Sequence, residues 1–249
     1  MTLRPWDGAA YDRVGTPQAA WGRAVLERLP LQGDETVVDA GCGSGRVTEM
    51  LLERLPAGRV IAVDGSASML AAARERLAGR GDVEYVEADL LELDLGGRTV
   101  DAVLSTATFH WIADHERLFQ RLHAVLRPGG RLVAQCGGAG NIARVLARGE
   151  EVAQSARWAP LLAGYGDMHH FAGPEETERR LRAAGFAEAR CWLHDEPTQP
   201  PEPALFLATV VFGAVVQDLP DDQRLAFAEE VVAGLPEPFT ADYVRLNID

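Results

Sequence analysis

Lysine is absent from this chain: apart from histidine, all 24 basic residues are arginine. That absence excludes Schiff-base chemistry on a lysine, and with it pyridoxal-phosphate and class I aldolase mechanisms. A P-loop kinase is excluded too, since its phosphate-binding lysine has no candidate. Cysteine is scarce. Cys42, Cys136 and Cys191 are odd in number and lack paired spacing, which argues against a disulfide framework or a zinc ribbon, so no metal site is expected. No apolar run reaches the roughly eighteen residues of a membrane-spanning helix, the longest being Ala204 to Val216. The stretch Met1 to Ala10 is polar, with Arg4 and Asp7, and lacks the apolar segment of a signal peptide. Together these absences predict a soluble, reduced, cytoplasmic protein.

Positive charge is in short supply overall. A formal net charge of −13 argues against a nucleic-acid partner, because phosphate binding needs a basic face. The deficit is uneven. Residues 1–149 carry 17 Arg against 19 Asp and Glu, net −2, whereas residues 150–249 carry 7 against 18, net −11. With 47% hydrophobic residues, the chain is long enough to bury one large core. A small-molecule partner and no membrane partner are expected, in a monomer or homodimer. The lysine-free, arginine-rich and alanine-rich composition further predicts a bacterial gene of high GC content.

The first two thirds alternate short apolar runs with amphipathic helical periods, the pattern of a parallel sheet with crossover helices. Trp21, Val25, Leu26 and Leu29 share one helix face, and Thr36 to Ala40 is a short β-rich run. Val47, Met50, Leu51 and Leu55 form the next stripe, Val60 to Val63 a second strand, and Met69, Leu70, Ala73 and Leu77 a third helix. Val83 to Glu87 and Val100 to Leu104 follow as strands. Leu118, Phe119, Leu122, Val125 and Leu126 mark a helix that Arg127-Pro128-Gly129-Gly130 stops before a fifth strand, Arg131 to Gln135. Pro174, Glu175, Glu176 and Gly185 bracket a helix, Glu188 to Leu193 reads as a sixth strand and Tyr243 to Ile248 as a seventh. The β-branched stretch 203–217 suits strand or buried helix and is read as helix.

The segment Val37-Val38-Asp39-Ala40-Gly41-Cys42-Gly43-Ser44-Gly45 places glycines at alternate positions between a strand and a helix. Glycine permits a tight turn and a close approach of ligand to backbone, and amides at the helix start would face that ligand. Asp64 ends the second strand 23 residues after Gly41, where a carboxylate can accept both hydroxyls of a ribose. Asp89 follows the third strand. A nucleoside-bearing cofactor is expected. A dinucleotide loop wants G-x-G-x-x-G, but here the third glycine comes one position early and Arg46 takes its place. Asp39 suits an ammonium group better than a pyrophosphate, which favours a zwitterionic amino-acid cofactor over a nicotinamide dinucleotide.

The set Asp-x-Gly-x-Gly-x-Gly, Asp64, Asp89 and the Pro-Gly-Gly turn resembles class I S-adenosylmethionine-dependent methyltransferases over about residues 6–137. The resemblance implies a doubly wound α/β fold with a seven-stranded, mostly parallel sheet whose last strand is antiparallel. It implies one methyltransferase domain over 1–249: a cofactor-binding core with an N-terminal helical lid in 1–137, then remaining core elements and a helical acceptor-side cap in 138–249. It also implies that Gly41 and Gly43 lie against the methionine part of S-adenosyl-L-methionine, Asp64 on the ribose and Asp89 on the adenine amino group. Met69 or Leu90 would pack on the adenine ring. A narrower likeness, Tyr11…Pro17-Gln18-Ala19-Ala20-Trp21 with Phe109-His110-Trp111-Ile112…Asp114-His115, is similar to the trans-aconitate and juvenile hormone acid methyltransferase group. By it Tyr11 would contact the cofactor, while Gln18 and Trp111 face the reacting group.

Methyl transfer to an ionised carboxylate needs placement more than proton transfer. If the acceptor is a hydroxyl, a base becomes useful, and His110 is the first candidate. His169 and His170 read as a surface or lid loop, Cys42 as a small buried thiol, and Trp158 and Tyr165 as either acceptor lining or packing. Arginines are sparse after Glu150, and Leu205 to Val216 offers an apolar surface, so a largely apolar acceptor with one reacting oxygen is favoured over a polyanion. A nicotinamide-dependent oxidoreductase and a non-catalytic cofactor-binding module stand as alternatives.

Overall fold

Seven strands of one sheet lie in the order β3-β2-β1-β4-β5-β7-β6 in a computed structural model that describes residues 16–162, 166 and 169–249. Helix α1 (Thr16–Arg28) precedes β1 (Thr36–Ala40), α2 (Arg46–Glu53), β2 (Arg59–Asp64), α3 (Ala67–Arg76) and β3 (Asp82–Glu87). Then come β4 (Val100–Thr106), α4 (His115–Val125), β5 (Leu126–Gly137), α5 (Ala143–Ala153), α6 (Pro174–Ala184), β6 (Cys191–Asp195), α7 (Pro203–Phe206), α8 (Asp221–Ala233) and β7 (Val244–Ile248). β1 pairs in parallel with β2 and β4, β2 with β3 and β4 with β5, while β7 runs antiparallel to β5. This is the expected doubly wound α/β sheet. Its chain order reverses between β1 and β4, so the carboxyl ends of those two strands flank the position where such sheets bind ligands.

Burial explains the order of the strands. β1, with Val37, Val38 and Ala40, and β4, with Val103 and Leu104, are sealed on both faces, as inner parallel strands must be. The edge strand β3 is only half-buried, and its Asp82 and Glu84 take ion pairs from Arg59 and Arg98, a charged edge that discourages pairing with another chain. Trp21, Val25, Leu26 and Leu29 of α1 are all buried, and so are Leu118, Phe119, Leu122 and Val125 of α4. Arg28 latches α1 to the end of the sheet: it donates to Asp249 Oδ1 (2.9 Å), Asn247 Oδ1 (2.6 Å) and the Ala134 carbonyl (2.8 Å), and stacks on Trp192.

Local signals place most boundaries. Asp114 caps α4 by accepting from the Arg117 amide, Ser66 caps α3 through the Met69 amide, and Pro174 opens α6. The Arg127-Pro128-Gly129-Gly130 run departs from expectation. The strand already begins at Leu126, paired with Val100, and the ladder resumes at Ala102 with Arg131, so the turn is an irregularity inside β5. Gly130 allows it, since a Cβ there would sit 2.9 Å from the Arg127 carbonyl oxygen.

Two compact units divide the chain. One comprises residues 17–139, 169–194 and 245–249 and holds the sheet core. The other includes residues 140–168 and 195–244. Its own interior is built from Trp158, Phe206, Phe212 and Phe227, with Trp158 and Phe212 edge-on to Phe227. The stretch 203–217 is helical but irregular, α7 passing into a π-turn over Leu207–Val211. Phe206, Leu207, Val211, Phe212 and Val216 are buried there, so much of the apolar surface expected of this segment is interior packing of its unit.

α6 ends at Gly185 with φ of +110°, and a Cβ at that position would meet the His123 ring at 2.8 Å. Gly185→Ala is therefore expected to lower stability by about 1–2 kcal/mol in urea unfolding, from left-handed strain and the ring contact together.

Candidate functional site

The glycine loop forms where β1 ends, and each glycine has its own reason. Gly41, Gly43 and Gly45 all hold positive φ, +80°, +54° and +79°. A Cβ on Gly41 would overlap the Thr108 side chain, and one on Gly45 would crowd Ala73 and Leu77 of the α3 segment. Gly43 differs: a Cβ there meets nothing within 4 Å, so this backbone faces open space. Four of the loop amides are already used by the protein. Gly41 and Cys42 both donate to the Val63 carbonyl (2.8 and 2.9 Å), Gly43 to Asp64 Oδ2 (2.9 Å) and Gly45 to the Cys42 carbonyl (3.0 Å). These four amides are thus turned onto the protein's own oxygens; the helix-start amides expected to face the ligand begin only at Arg46. The neighbouring side chains are carboxylates, which would repel a pyrophosphate.

Asp39 is the most unusual of them. Its side chain is buried, its Oδ2 accepts from Thr48 Oγ1 at 2.6 Å, and its Oδ1 has no partner among the described residues. Burial pushes its pKa up to about 6; the Thr48 hydroxyl opposes the shift and the Asp64 charge adds to it. A buried oxygen left unsatisfied at such a cost is an acceptor waiting for a donor. Asp64, last residue of β2, also has its pKa raised by burial, offset by the Ser66 and Gly43 amides on its two oxygens. Cys42 lies in the same loop, its thiol pushed far up by burial and by Asp39 and Asp64, so it stays protonated.

The other cofactor-side candidates sit along the same strand ends. Asp89 is exposed two residues past β3 and caps a short turn through the Leu91 amide at 2.9 Å. Met69 is half-buried in the first turn of α3. Leu90 points instead into the core with Val63 and Leu93, at 5% exposure, which leaves Met69 the more available of the two for a ring. Tyr11 and Tyr165 lie outside the described residues, and the side chain of Gln18, on α1, is likewise not described.

Beyond β4 the chain is strained. Ala107 adopts φ of +55°, a left-handed conformation that costs a non-glycine residue on the order of 1 kcal/mol. The twist carries Thr108 Oγ1 to the Gly41 carbonyl (3.2 Å) and starts a turn over Phe109–Trp111, so this turn adjoins the glycine loop. His110 is buried, its Nδ1 accepting from the Gly137 amide at 3.2 Å. Trp111 is half-buried against His169, ring centres 4.5 Å apart, and His169 stacks on Phe171 at 5.0 Å. The half-buried His169–Phe171 segment is thus packed on the Phe109–Trp111 turn, and the His170 amide donates to the His110 carbonyl at 2.8 Å. That packing carried no signal in the sequence beyond two adjacent histidines. Trp158 is full core, its Nε1 donating to Glu230. Among the described residues no cluster of three metal-ligating side chains forms, and no helix is long and apolar enough to cross a membrane.

Comparison with known proteins shows what the chain is similar to. Residues 38–134 match the family model described as a methyltransferase domain, Methyltransf_11. A trans-aconitate 2-methyltransferase of Paracidovorax citrulli is 39% identical over 134 residues, 53% of this chain and 50% of that protein. One of Escherichia coli is 34% identical over 133 residues, 53% of this chain and 51% of that protein. The chain spans about half the length of these curated relatives. Among solved structures, the YcgJ protein of Bacillus subtilis superposes with a TM-score of 0.65 at 14% identity, over 91% of this chain and 95% of that one. Haemonchus contortus phosphoethanolamine N-methyltransferase 2 in complex with S-adenosyl-L-methionine gives 0.64 at 18%, over 97% of this chain and 56% of that one. Those two likenesses concern the fold.

Asp39 makes a test of stability against pH. Below 3.8 the residue is protonated whether the chain is folded or not. As pH rises toward 6 the unfolded chain ionises first, so stability falls, and above about 6 the full cost is present. Asp39→Asn removes that cost and is expected to stabilise the unliganded protein by ~1–3 kcal/mol at pH 7.5, from a two-unit shift less the imperfect fit of the amide. The gain shrinks to nothing near pH 4. Urea unfolding of both proteins at the two pH values checks it.

Proposed function

We propose that this chain, which carries a class I methyltransferase domain, transfers a methyl group from S-adenosyl-L-methionine to an oxygen of a small molecule. The observation that carries the reading is the unsatisfied Oδ1 of buried Asp39 beside a glycine backbone open at Gly43, with Asp64 one strand away. These residues fit the group in question. A cationic amine satisfies the orphaned oxygen and relieves the energetic cost of the buried charge, whereas a pyrophosphate would meet two carboxylates and no lysine. That contrast also disfavours the nicotinamide alternative.

In this reading Asp39 holds the ammonium of the cofactor's methionine part, with Gly41 and Gly43 as its backbone wall. Asp64 takes the ribose hydroxyls on the lone pairs its two amide partners leave free. Asp89 accepts from the adenine amino group, and Met69 covers one face of the ring. When bound, the cofactor supplies an electrophilic methyl on a sulfonium. The chain's task is then to hold an oxygen nucleophile in line and keep water away, a placement that can lower a barrier by up to about 7–11 kcal/mol. Gln18 and Trp111 are assigned to that side, and His110 with them.

The acceptor is read as a small carboxylate, since the relatives named above are trans-aconitate 2-methyltransferases. That identity covers only 53% of the chain. A tricarboxylate would need several available arginines, and those after residue 140 are largely engaged: Arg144 with Asp242, Arg148 with Glu151, Arg157 with Glu230, Arg180 with Glu176 and Arg182 with Glu178. A molecule with one reacting carboxylate suits this chain better.

Calorimetric titration with S-adenosylmethionine, S-adenosylhomocysteine and NADH tests the assignment. Micromolar binding of both sulfur nucleosides is expected, lost at least a hundredfold in Asp64→Ala, with NADH inert. Because the ammonium pairs with an ionised Asp39, affinity should be greatest between the Asp39 pKa of about 6 and the ordinary α-amino pKa of roughly 8. It should then weaken by up to tenfold per unit as pH falls below about 6. Binding of NADH alone, or of none of the three, would return the chain to an unassigned nucleotide fold.

A further inference from the structure

Histidine 110 has two ring nitrogens with different surroundings, and the difference restricts what the residue can do. Its Nδ1 accepts a hydrogen bond from the Gly137 backbone N–H at 3.2 Å. A backbone amide can only donate, so Nδ1 must present a lone pair and the ring proton of the neutral imidazole must sit on Nε2. Among the described residues Nε2 has no hydrogen-bond partner; it lies on the side of the ring away from Gly137.

The ring is also fixed in rotation. Trp111 packs on it at 5.1 Å between ring centres, and His169 and Phe171 each lie at 5.9 Å. The His170 amide pins the His110 carbonyl at 2.8 Å, so the backbone cannot swing the ring away from Gly137 without releasing that bond. Charged and titratable groups approach from each neighbouring element: Arg245 from β7, His169 from the loop before α6, His115 from α4 and Cys136 from β5. Burial, Arg245 and the two histidines all oppose a positive charge on the ring and hold its pKa well below 6.5. No carboxylate stands among these groups to stabilise an imidazolium.

A general base needs an unprotonated nitrogen facing the acceptor and an environment that accepts the resulting cation. His110 offers the reverse on both counts. We propose that His110 is a fixed hydrogen-bond donor, presenting its Nε2–H to the reacting oxygen of an acceptor that arrives already ionised. This deepens the methyltransferase reading and rests on it: with its first candidate base locked as a donor, the enzyme takes carboxylates and leaves un-ionised alcohols alone. Thr108, hydrogen-bonded to the Gly41 carbonyl, ties the turn that bears His110 to the glycine loop, which keeps this donor beside the cofactor residues. In a site without lysine, a neutral N–H is also a sparing way to orient an oxyanion. It directs the nucleophile without the full charge of an ammonium, which would quench its reactivity toward a sulfonium.

The test is nuclear magnetic resonance of full-length protein labelled with nitrogen-15 in histidine and saturated with S-adenosylhomocysteine, with His110→Phe used to assign the signal. Long-range proton–nitrogen correlations from pH 5 to 9 should show His110 neutral throughout, with its proton on Nε2. Addition of trans-aconitate or benzoate as carboxylate probes should move that Nε2–H signal with at least one of them, while benzyl alcohol should not. His110→Asn, which keeps an N–H donor, should bind the active probe within about fivefold of the parent, and His110→Phe at least tenfold more weakly. A proton on Nδ1, titration between pH 6 and 7.5, or no response to either carboxylate would overturn the proposal. Failure of S-adenosylhomocysteine to bind would instead strike the methyltransferase reading, and the tautomer would still be read on the unliganded chain.

Discussion

A carboxylate sealed inside the protein with one threonine hydroxyl and one empty lone-pair position is the constraint around which the site is arranged. Asp39 sits near the end of β1, just before the glycine loop that leads into α2. That placement buries it, and burial raises its pKa to about 6. A protein selected for stability alone would put an apolar residue there. The neighbouring loop amides have been turned inward, onto Val63 and Asp64, so they do not relieve the charge. A bound donor would relieve it, and a cationic one most of all. The choice between a zwitterionic cofactor and an anionic dinucleotide thus follows from electrostatics before any family likeness is considered.

The same logic extends across the switch point of the sheet. β4 lies beside β1, and the strained Ala107 at its end delivers Thr108 to the Gly41 carbonyl. The glycine loop and the turn bearing His110 and Trp111 are therefore one mechanical piece. One half offers negative charge, the other neutral rings and N–H groups. Such a division suits the proposed reaction between a cationic donor and an anionic nucleophile: the carboxylates lie on the donor's side, and a neutral N–H orients the nucleophile without a full charge that would hold it back.

Much of this was legible in the sequence. The alternating apolar runs placed the first four strands to within about two residues, since inner strands need an unbroken β-rich run and the sequence offers few. The helix ends were equally clear at Pro174 and Gly185, where a single residue decides the backbone angle. Strand β5 was read too short. Proline and two glycines ordinarily end a helix or a strand, and only pairing with Val100 on one side and Ala102 on the other lets the strand continue around them. The stretch 203–217 was legible as a helix, but the use of its apolar residues was not. Phe206, Leu207, Val211, Phe212 and Val216 are buried and Phe212 packs on Phe227, and an apolar run looks the same in sequence whether it ends in a core or a pocket.

Sequence by itself determined the identities and order of the site's parts: Asp39, the three glycines, Asp64 and Asp89 at successive strand ends, and the absence of any lysine to neutralise them. These are local facts, fixed by spacing along the chain. Tertiary structure decided which of them are under strain and what they can donate or accept. Only folding could leave Asp39 Oδ1 without a partner, turn the loop amides away, sink Leu90 into the core and bring Gly137, 27 residues away, against His110 Nδ1. Protonation and tautomer depend on the few ångströms around a group, and those neighbours come from distant segments of the chain.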